Sequence, residues 1–151
     1  MPNYRRWFVP GGTYFFTVNL LRPDSRLLVE QIGALRAAYA EAAKRQPFTT
    51  VAICVLPNHL HCIWTLPTDD SDFPGRWRRI KAGFSRRLPP SMDIAEGRRL
   101  GERGIWQRRF WEHAIRDEND YQAHLAYRDF TRRFGSGGAI RFAIAPYSYT
   151  Y

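Results

Sequence analysis

Two short apolar runs on either side of Pro57-Asn58 constrain the fold more than any other stretch of the sequence. The runs, residues 51–56 and 60–66, are rich in apolar and β-branched residues, which is typical of paired strands. Proline presets φ and asparagine tolerates turn geometry, so the dipeptide between them predicts a tight turn. The sequence therefore predicts an antiparallel hairpin over residues 48–66.

Two histidines open the second strand of this hairpin. Side chains alternate between the faces of a strand, so His59 and His61 point the same way, and Leu60, Cys62 and Trp64 point toward a core. Two neutral imidazoles on one face can hold a divalent metal. The spacing alone equally allows two polar positions on the solvent face of a half-buried strand.

The composition indicates a polyanionic partner. The formal net charge is +9, from 23 Lys and Arg against 14 Asp and Glu, and the excess is almost entirely arginine. The planar guanidinium binds phosphate with two parallel hydrogen bonds. The chain also carries 5 Trp, 8 Tyr and 10 Phe, and rings can stack on unpaired bases. The composition favours a nucleic-acid-binding protein over a basic protein without such a partner.

The cysteines and the hydropathy indicate the compartment. Cys54 and Cys62 fall on paired strands, and two cysteines make no disulfide framework, so we expect buried free thiols in a reducing cytoplasm. Pro10-Gly11-Gly12 interrupts the N-terminal apolar stretch, so we expect no signal peptide. No apolar run reaches the ~18 residues of a membrane span.

The order of elements predicts the fold class. Strands and helices alternate as strand, helix, strand, strand, helix, strand, helix, and a βαββαβ order makes an antiparallel sheet with helices on one face. We therefore predict a ferredoxin-like α+β domain over residues 1–151, followed within it by a C-terminal tyrosine-bearing helix, with the tail from about residue 135 unassigned. The predicted elements span residues 13–20, 27–45, 48–66 (the hairpin), 76–88, 105–115 and about 120–134.

Basic residues outside the hairpin are the candidates for contacts with nucleic acid. The helix at 76–88 carries charges of one sign, which suits a helix that tracks phosphates, although a solvated face is about as good an interpretation. The full predicted set is Arg5, Arg6, Arg78, Arg79, Lys81, Arg86, Arg108 and Arg109.

The last helix carries two tyrosines, and a site can form on the face of the histidines if this helix crosses it. A metal facing a tyrosine is a nucleophile arrangement, since the metal binds phosphate oxygens and a phenolate attacks the phosphorus. Tyr127 and Thr131 are four residues apart and share a helical face, with His124 one turn earlier. Tyr121 lies about 120° around the helix from Tyr127. A core or groove aromatic is the alternative for either tyrosine.

These residues together resemble a known family. Pro57-Asn58-His59-Leu60-His61-Cys62-Ile63-Trp64 is similar to the HUH motif (His, hydrophobe, His) of the single-tyrosine transposases. The branch it most resembles is the REP-associated tyrosine transposases. Further segments similar to this branch lie at residues 4–20, 106–113 and 116–121, so that the resemblance covers about residues 4–127.

The resemblance implies an activity. Such enzymes bind a DNA hairpin and cleave adjacent single-stranded DNA through a 5′-phosphotyrosine link that can be rejoined to another strand. By motif position, His59 and His61 would bind Mg²⁺ or Mn²⁺ and Tyr127 would be the nucleophile. The implied partner is single-stranded DNA with a hairpin. The protein would act as a monomer or homodimer in the bacterial cytoplasm, at the nucleoid.

One segment departs from the family pattern. Thr131 stands where the family has a metal-binding Asn, and Arg132 stands where it has Pro. A neutral hydroxyl is a poorer metal ligand than an amide oxygen, so we expect a weaker metal site. Residues 128–144 could be a rewritten or frame-shifted stretch. The alternatives are a hairpin-binding DNA module with weakened or lost catalysis and an RNA-binding ferredoxin-like domain.

Overall fold

The computed structural model describes residues 6–92 and 103–125, together with the backbone of residues 140 and 141. Its elements alternate as the sequence predicts. They are β1 (Thr13–Asn19), α1 (Leu27–Glu30), α2 (Ile32–Arg45), β2 (Thr49–Val55), β3 (His59–Thr65), α3 (Phe73–Arg86), β4 (Trp111–Ala114), α4 (Glu118–Leu125) and β5 (Ile140–Arg141).

The strands form one antiparallel sheet in the order β4-β1-β3-β2-β5. The α+β class is therefore confirmed, and the hairpin supplies the central strand β3. Within the predicted βαββαβ unit, β4 lies at the edge of the sheet, beside β1. This places the segment that leads into α4 next to the strand that pairs with the histidines.

One face of the sheet and two helices enclose the core. Trp64 of β3 stacks on Trp77 of α3, with ring centroids 4.4 Å apart, and Leu60 and Cys62 point into the same layer. Both cysteines are buried and form no disulfide, as predicted. The helices α2 and α3 cover this face, because their apolar stripes supply Leu35, Ala38, Ala42, Ile80 and Phe84 to the core.

The turn of the hairpin is confirmed and is held by neighbouring segments. The amide of Leu56 donates to the carbonyl of His59 across the turn at 2.8 Å. The carbonyl of Asn58 accepts from the amide of Leu20 at 2.8 Å, and that of Pro57 accepts from Leu28 at 3.2 Å. The end of β1 and the start of α1 therefore fix the turn from outside.

Three predicted boundaries differ from the structure. The helix predicted over 27–45 is divided at Gln31. The helix α3 begins at Phe73 rather than at residue 76, because Asp72 Oδ1 accepts from the amide of Gly75 at 2.9 Å and Pro74 fits the first turn. Of the predicted strand 105–115, Trp111–Ala114 forms a strand and Trp106 makes an isolated antiparallel bridge to Leu20. The predicted continuation of the last helix toward residue 134, and the tail from about 135, lie outside the described residues, apart from the backbone of β5.

Candidate functional site

His59 lies at the start of β3 with its ring orientation fixed by its neighbour. Its Nδ1 is 2.7 Å from Oδ1 of Asn58, and Nδ2 of Asn58 donates to the carbonyl of Pro23 at 2.8 Å. That second bond identifies Oδ1 as the amide's acceptor, so Nδ1 of His59 is the donor. A ring protonated at Nδ1 carries its lone pair on Nε2, the atom that can coordinate a metal.

His61 is held in the same manner from the adjacent strand. It is 3% exposed, and its Nδ1 is 2.8 Å from the Thr17 hydroxyl, its cross-strand partner on β1. The centroids of the His59 and His61 rings are 4.9 Å apart. Metal-ligating histidines usually use their second ring nitrogen for such a hydrogen bond. Each of the two predicted ligands therefore has its Nδ1 held by a neighbouring side chain, and their role as metal ligands stays a prediction.

Helix α4 crosses the face of the sheet that carries the histidines, which is the condition under which the sequence allows a site there. The ring of His124 is 4.9 Å from that of Phe15, which in turn is 5.6 Å from that of His61. His124 also stacks on His113 of β4, with centroids 4.5 Å apart. The four histidines of the chain thus all lie on the face opposite to α2 and α3.

Asp120 connects α4 to β4. Its carboxylate accepts from Nε2 of His113 at 2.8 Å and from the amide of Arg116 at 2.9 Å, and it lies 3.2 Å from Nδ1 of His124. Burial alone would raise the pKa of Asp120, but these hydrogen bonds and the neighbouring imidazoles lower it to about 2. The carboxylate is therefore ionised at neutral pH and fixes the first turn of α4.

These three side chains form a second group of candidate metal ligands. One atom each from His113, Asp120 and His124 lies within 4.8 Å of the other two, so the group could bind a metal. Their present contacts also have a structural effect, because they attach the helix that precedes Tyr127 to the sheet.

Four residues of the predicted site lie outside the described part of the chain. They are Arg5, the predicted nucleophile Tyr127, and the departing pair Thr131 and Arg132. Helix α4 is described as far as Leu125, two residues before Tyr127.

Three of the predicted phosphate-binding arginines share an exposed groove. Arg78, Arg79 and Arg86 of α3 line a groove of about 480 Å³ against α2, together with Arg45. This groove lies on the outer side of the helical layer, whereas the histidines lie across the sheet. A single DNA that contacts both must therefore pass around an edge of the molecule.

Two other predicted DNA contacts have partners inside the protein. Nη1 of Arg6 lies 2.8 Å from Oε2 of the buried Glu112, and its guanidinium lies over the ring of Phe110 at 4.3 Å. Nζ of Lys81 donates to the carbonyl of Gln107 at 2.7 Å. Burial, and then the charge of Arg6, lowers the pKa of Lys81 to about 8.

Arg76 is not the surface charge that its place in the basic helix predicts. It is 0% exposed and forms a bidentate ion pair with Asp70, at 2.9 and 2.7 Å. It also donates to the carbonyls of Gln46, Pro47 and Asp72. Arg76 is therefore not available to hold phosphates, because acceptors from two loop segments, at residues 46–47 and 70–72, surround its guanidinium.

The last two predicted arginines lie beside the edge strand. Arg108 and Arg109 are exposed and directly precede Phe110 and β4. The amide of Gln107 donates to the carbonyl of Asn19 at 3.0 Å, which ties this segment to the end of β1 that faces His59. These arginines are thus closer in the fold to the histidines than those of α3 are.

Several residues of the site are absent from the sequence-based prediction. The pattern assigns Asn58 to the turn alone and Thr17 to a strand. The dipeptide Asn58-His59 carries a signal, because an amide next to a candidate ligand can fix its tautomer. Asp120 has a weaker signal in the sequence, because its contact with His113 depends on how β4 pairs in the sheet.

Comparisons with known proteins agree with this architecture. No family model matches the sequence. The chain is 46% identical over 127 residues to the REP-associated tyrosine transposase of Escherichia coli (strain K12), a match covering 84% of this chain and 70% of that protein. It is 44% identical over 129 residues to a protein of Haemophilus influenzae (strain ATCC 51907 / DSM 11121 / KW20 / Rd) that provisionally bears the same name, covering 84% and 73%.

Solved structures give the same result. A structure of the REP-associated tyrosine transposase bound to a REP hairpin is 47% identical, with a TM-score of 0.70, and the match covers 82% of this chain and 68% of that one. A Deinococcus radiodurans R1 protein, provisionally named a transposase, shares the fold at 16% identity and a TM-score of 0.52, covering 82% and 93%. Among the described helices, none has both the length and the apolar character needed to cross a bilayer.

Proposed function

This chain belongs to the REP-associated tyrosine transposases, and from that premise we propose that it binds a DNA hairpin and cleaves the adjacent single strand through a 5′-phosphotyrosine intermediate. The relative solved with a REP hairpin supports the hairpin as the partner. The observation that carries the proposal is the pair of oriented imidazoles, His59 and His61, on the face of the sheet that α4 crosses.

The proposed metal site consists of the two Nε2 atoms of this pair. Asn58 and Thr17 hold the opposite ring nitrogens, so both rings keep their orientation when a phosphate approaches. Mg²⁺ or Mn²⁺ bound there would polarise the scissile phosphate. Thr131, at the position of the family's third ligand, supplies a hydroxyl in place of an amide oxygen.

Tyr127 supplies the nucleophile in this proposal. Its phenolic oxygen forms a bond to phosphorus, the bond from phosphorus to the 3′ oxygen breaks, and the leaving oxygen takes a proton to become a free 3′-OH. Attack by a 3′-OH on the phosphotyrosine reverses these bond changes and joins the strands. The contacts of Asp120 with His113 support this role, since they fix α4 seven residues before Tyr127.

The hairpin is held by arginines in this proposal. Arg78, Arg79 and Arg86 line a groove that has a net positive charge, since its lining has four arginines against Glu41 and Asp72. Arg108 and Arg109 add positive charge beside the edge strand β4. Each phosphate that is neutralised releases counterions, which makes binding steeply dependent on salt. Hairpin binding should therefore persist when the histidines are removed.

A second candidate is a hairpin-binding module with weakened cleavage. Thr131 favours it, because replacing an amide ligand lowers metal affinity without touching the arginines. The two candidates agree on binding and differ only in the covalent step, so a single assay separates them.

The test is formation of a covalent protein–DNA adduct with Mn²⁺. The substrate is a labelled hairpin oligonucleotide with single-stranded flanks, taken from the repeats of the encoding genome. We expect a band resistant to denaturation in wild type and in Tyr121→Phe, which serves as the matched control, and no band in Tyr127→Phe. His61→Ala should lose the band and retain hairpin binding.

Two outcomes would change the assignment. Binding without an adduct in wild type would support the module with lost chemistry. Equal competition by unpaired RNA and by the DNA hairpin would contradict both candidates and favour an RNA-binding domain.

A further inference from the structure

Trp111 lies on the histidine face and is largely open to solvent. It is 47% exposed, although it sits in β4. Thr17 of β1 pairs with Trp111 on one side and with His61 on the other. Neighbouring strands are about 4.8 Å apart, so Trp111 lies about 10 Å from His61 across the same face.

The indole is supported as a flat surface. Its ring is parallel to that of His113 within 7°, with centroids 5.9 Å apart, and Phe15 meets it edge-on at 5.7 Å. These two contacts restrict rotation of the side chain. A ring that is held in place and still exposed loses little entropy when a second flat group stacks on it.

Two exposed arginines lie in the segment that leads into this strand. Arg108 and Arg109 come immediately before Phe110 and this strand, and both are exposed. The whole chain carries a formal charge of +9. A flat aromatic surface with exposed arginines two and three residues before it in the chain suits a nucleotide, whose base stacks while its phosphate pairs with a guanidinium.

We propose that Trp111 is a stacking platform for one unpaired base of the single strand that flanks the hairpin. This inference rests on the proposed function and adds the path of the single-stranded DNA. The DNA passes around the β4 edge of the sheet, between Arg108 and Arg109 on one side and the histidines on the other. Bases inside a duplex have both faces covered, so the platform selects an unpaired nucleotide. Its fixed distance from His61 would also help to define which phosphate reaches the metal ligands.

The test measures whether the loss of one flanking base and the loss of the Trp111 ring affect hairpin affinity independently. Affinity is measured in EDTA, so that cleavage cannot contribute, for hairpins in which each flanking nucleotide is replaced in turn by an abasic one. In wild type we expect one position at which base removal weakens binding about 5- to 150-fold, the range of a single base–aromatic stack. In Trp111→Ala the same abasic replacement should weaken hairpin binding by less than about twofold.

A matched control and a conservative variant complete the design. Trp7 is also exposed, at 65%, but lies by the helical layer, where its neighbour Phe8 stacks on Phe73. In Trp7→Ala the abasic nucleotide should weaken binding as much as it does in wild type. In Trp111→Phe it should weaken binding by more than in Trp111→Ala, because a phenyl ring restores part of the stacking surface. Thermal unfolding checks that each variant is folded.

The outcomes separate this inference from the proposed function. An abasic cost that is unchanged in folded Trp111→Ala would overturn the platform, even if the Tyr127 adduct forms. Coupling between the base and Trp111 without any adduct would keep the platform and overturn the proposed cleavage. Coupling to Trp7 instead would place the strand on the helical side and reject the path around β4.

Discussion

Replacement of Arg76 by methionine tests whether the first arginine of α3 holds the fold rather than the DNA. Its guanidinium makes five hydrogen bonds, two to Asp70 and three to backbone carbonyls, and it is fully buried. Methionine keeps much of the aliphatic stem, so the change removes the polar interactions and largely preserves the packing.

The magnitude follows from what the substitution leaves behind. Removal of one partner of a buried ion pair costs about 3–5 kcal/mol, because the other partner stays uncompensated. The side chain of Asp70 is 29% exposed, so water can reach its carboxylate and the cost falls at the low end. We therefore expect Arg76→Met to lower the free energy of unfolding by about 3 kcal/mol.

Urea unfolding at pH 7 measures this destabilisation, with Arg78→Met as the matched control. Arg78 is exposed on the same helix, so its replacement should change stability by less than about 0.5 kcal/mol. Hairpin affinity should show the reverse pattern. It should be unchanged in Arg76→Met at temperatures where this variant is folded, and it should be weaker in Arg78→Met. A destabilisation below about 1 kcal/mol, or a reduced salt slope of binding in folded Arg76→Met, would refute the assignment.

Acid sensitivity provides a second measurement on the same pair. The hydrogen bonds from Arg76 lower the pKa of Asp70. A carboxyl whose pKa is lower in the folded state stabilises the protein above its unfolded pKa of about 4, and this contribution is lost as the pH falls through its folded value. The acid side of the stability profile should therefore be flatter in Arg76→Met than in wild type.

Further predictions concern the metal site, the groove and two other titrating groups. Asn58→Ala should weaken Mn²⁺ binding about 10- to 100-fold, measured by isothermal titration, because His59 loses the partner that fixes its tautomer; unchanged affinity would remove Asn58 from the site. Arg79→Ala should reduce the slope of log affinity against log salt by about 0.9 for each phosphate that is no longer neutralised, and an unchanged slope would leave the groove as a solvated surface. The pKa of Asp120, about 2, lies below its unfolded value, so its stabilisation should vanish between about pH 4 and pH 2; Asp120→Asn and wild type should converge there, and parallel profiles would contradict this. The pKa of Lys81, about 8, also lies below its ordinary value of 10.5, so the unfolded chain binds more protons between these values and stability should rise with pH across that window; Lys81→Met should abolish a rise of about 3 kcal/mol, and a rise that persists would assign it to another group.

The parts of the fold that could be predicted depend on local signals. Pro57-Asn58 and the alternation after it specify a hairpin whichever elements surround it, and the structure confirms both. The predicted start of α3, at residue 76, is too late because the composition around Pro74 is that of a loop. Proline is tolerated in a first turn, where its missing amide has no partner, and Asp72 caps that turn.

The parts that could not be predicted depend on contacts between distant segments. Helical periodicity assigns a cationic residue to the surface. Two of the acceptors that surround the buried Arg76 come from the loop at Gln46 and Pro47, thirty and twenty-nine residues earlier, and local sequence cannot show that contact. Likewise, His113 meets Asp120 only because β4 pairs with β1 and α4 turns back across the sheet.

The two hydrogen bonds of the Asn58 side chain have a consequence for protein engineering. The amide joins the loop at Pro23 to the ring of His59, so the chemistry of that ring depends on a segment thirty-five residues away in sequence from Asn58. A hairpin transplanted into another scaffold with only its two histidines would keep their spacing but leave His59 able to rotate and exchange tautomers. The smallest portable version of the site is therefore the hairpin together with a carbonyl acceptor placed where Pro23 now stands and a strand that carries the hydroxyl of Thr17 beside His61.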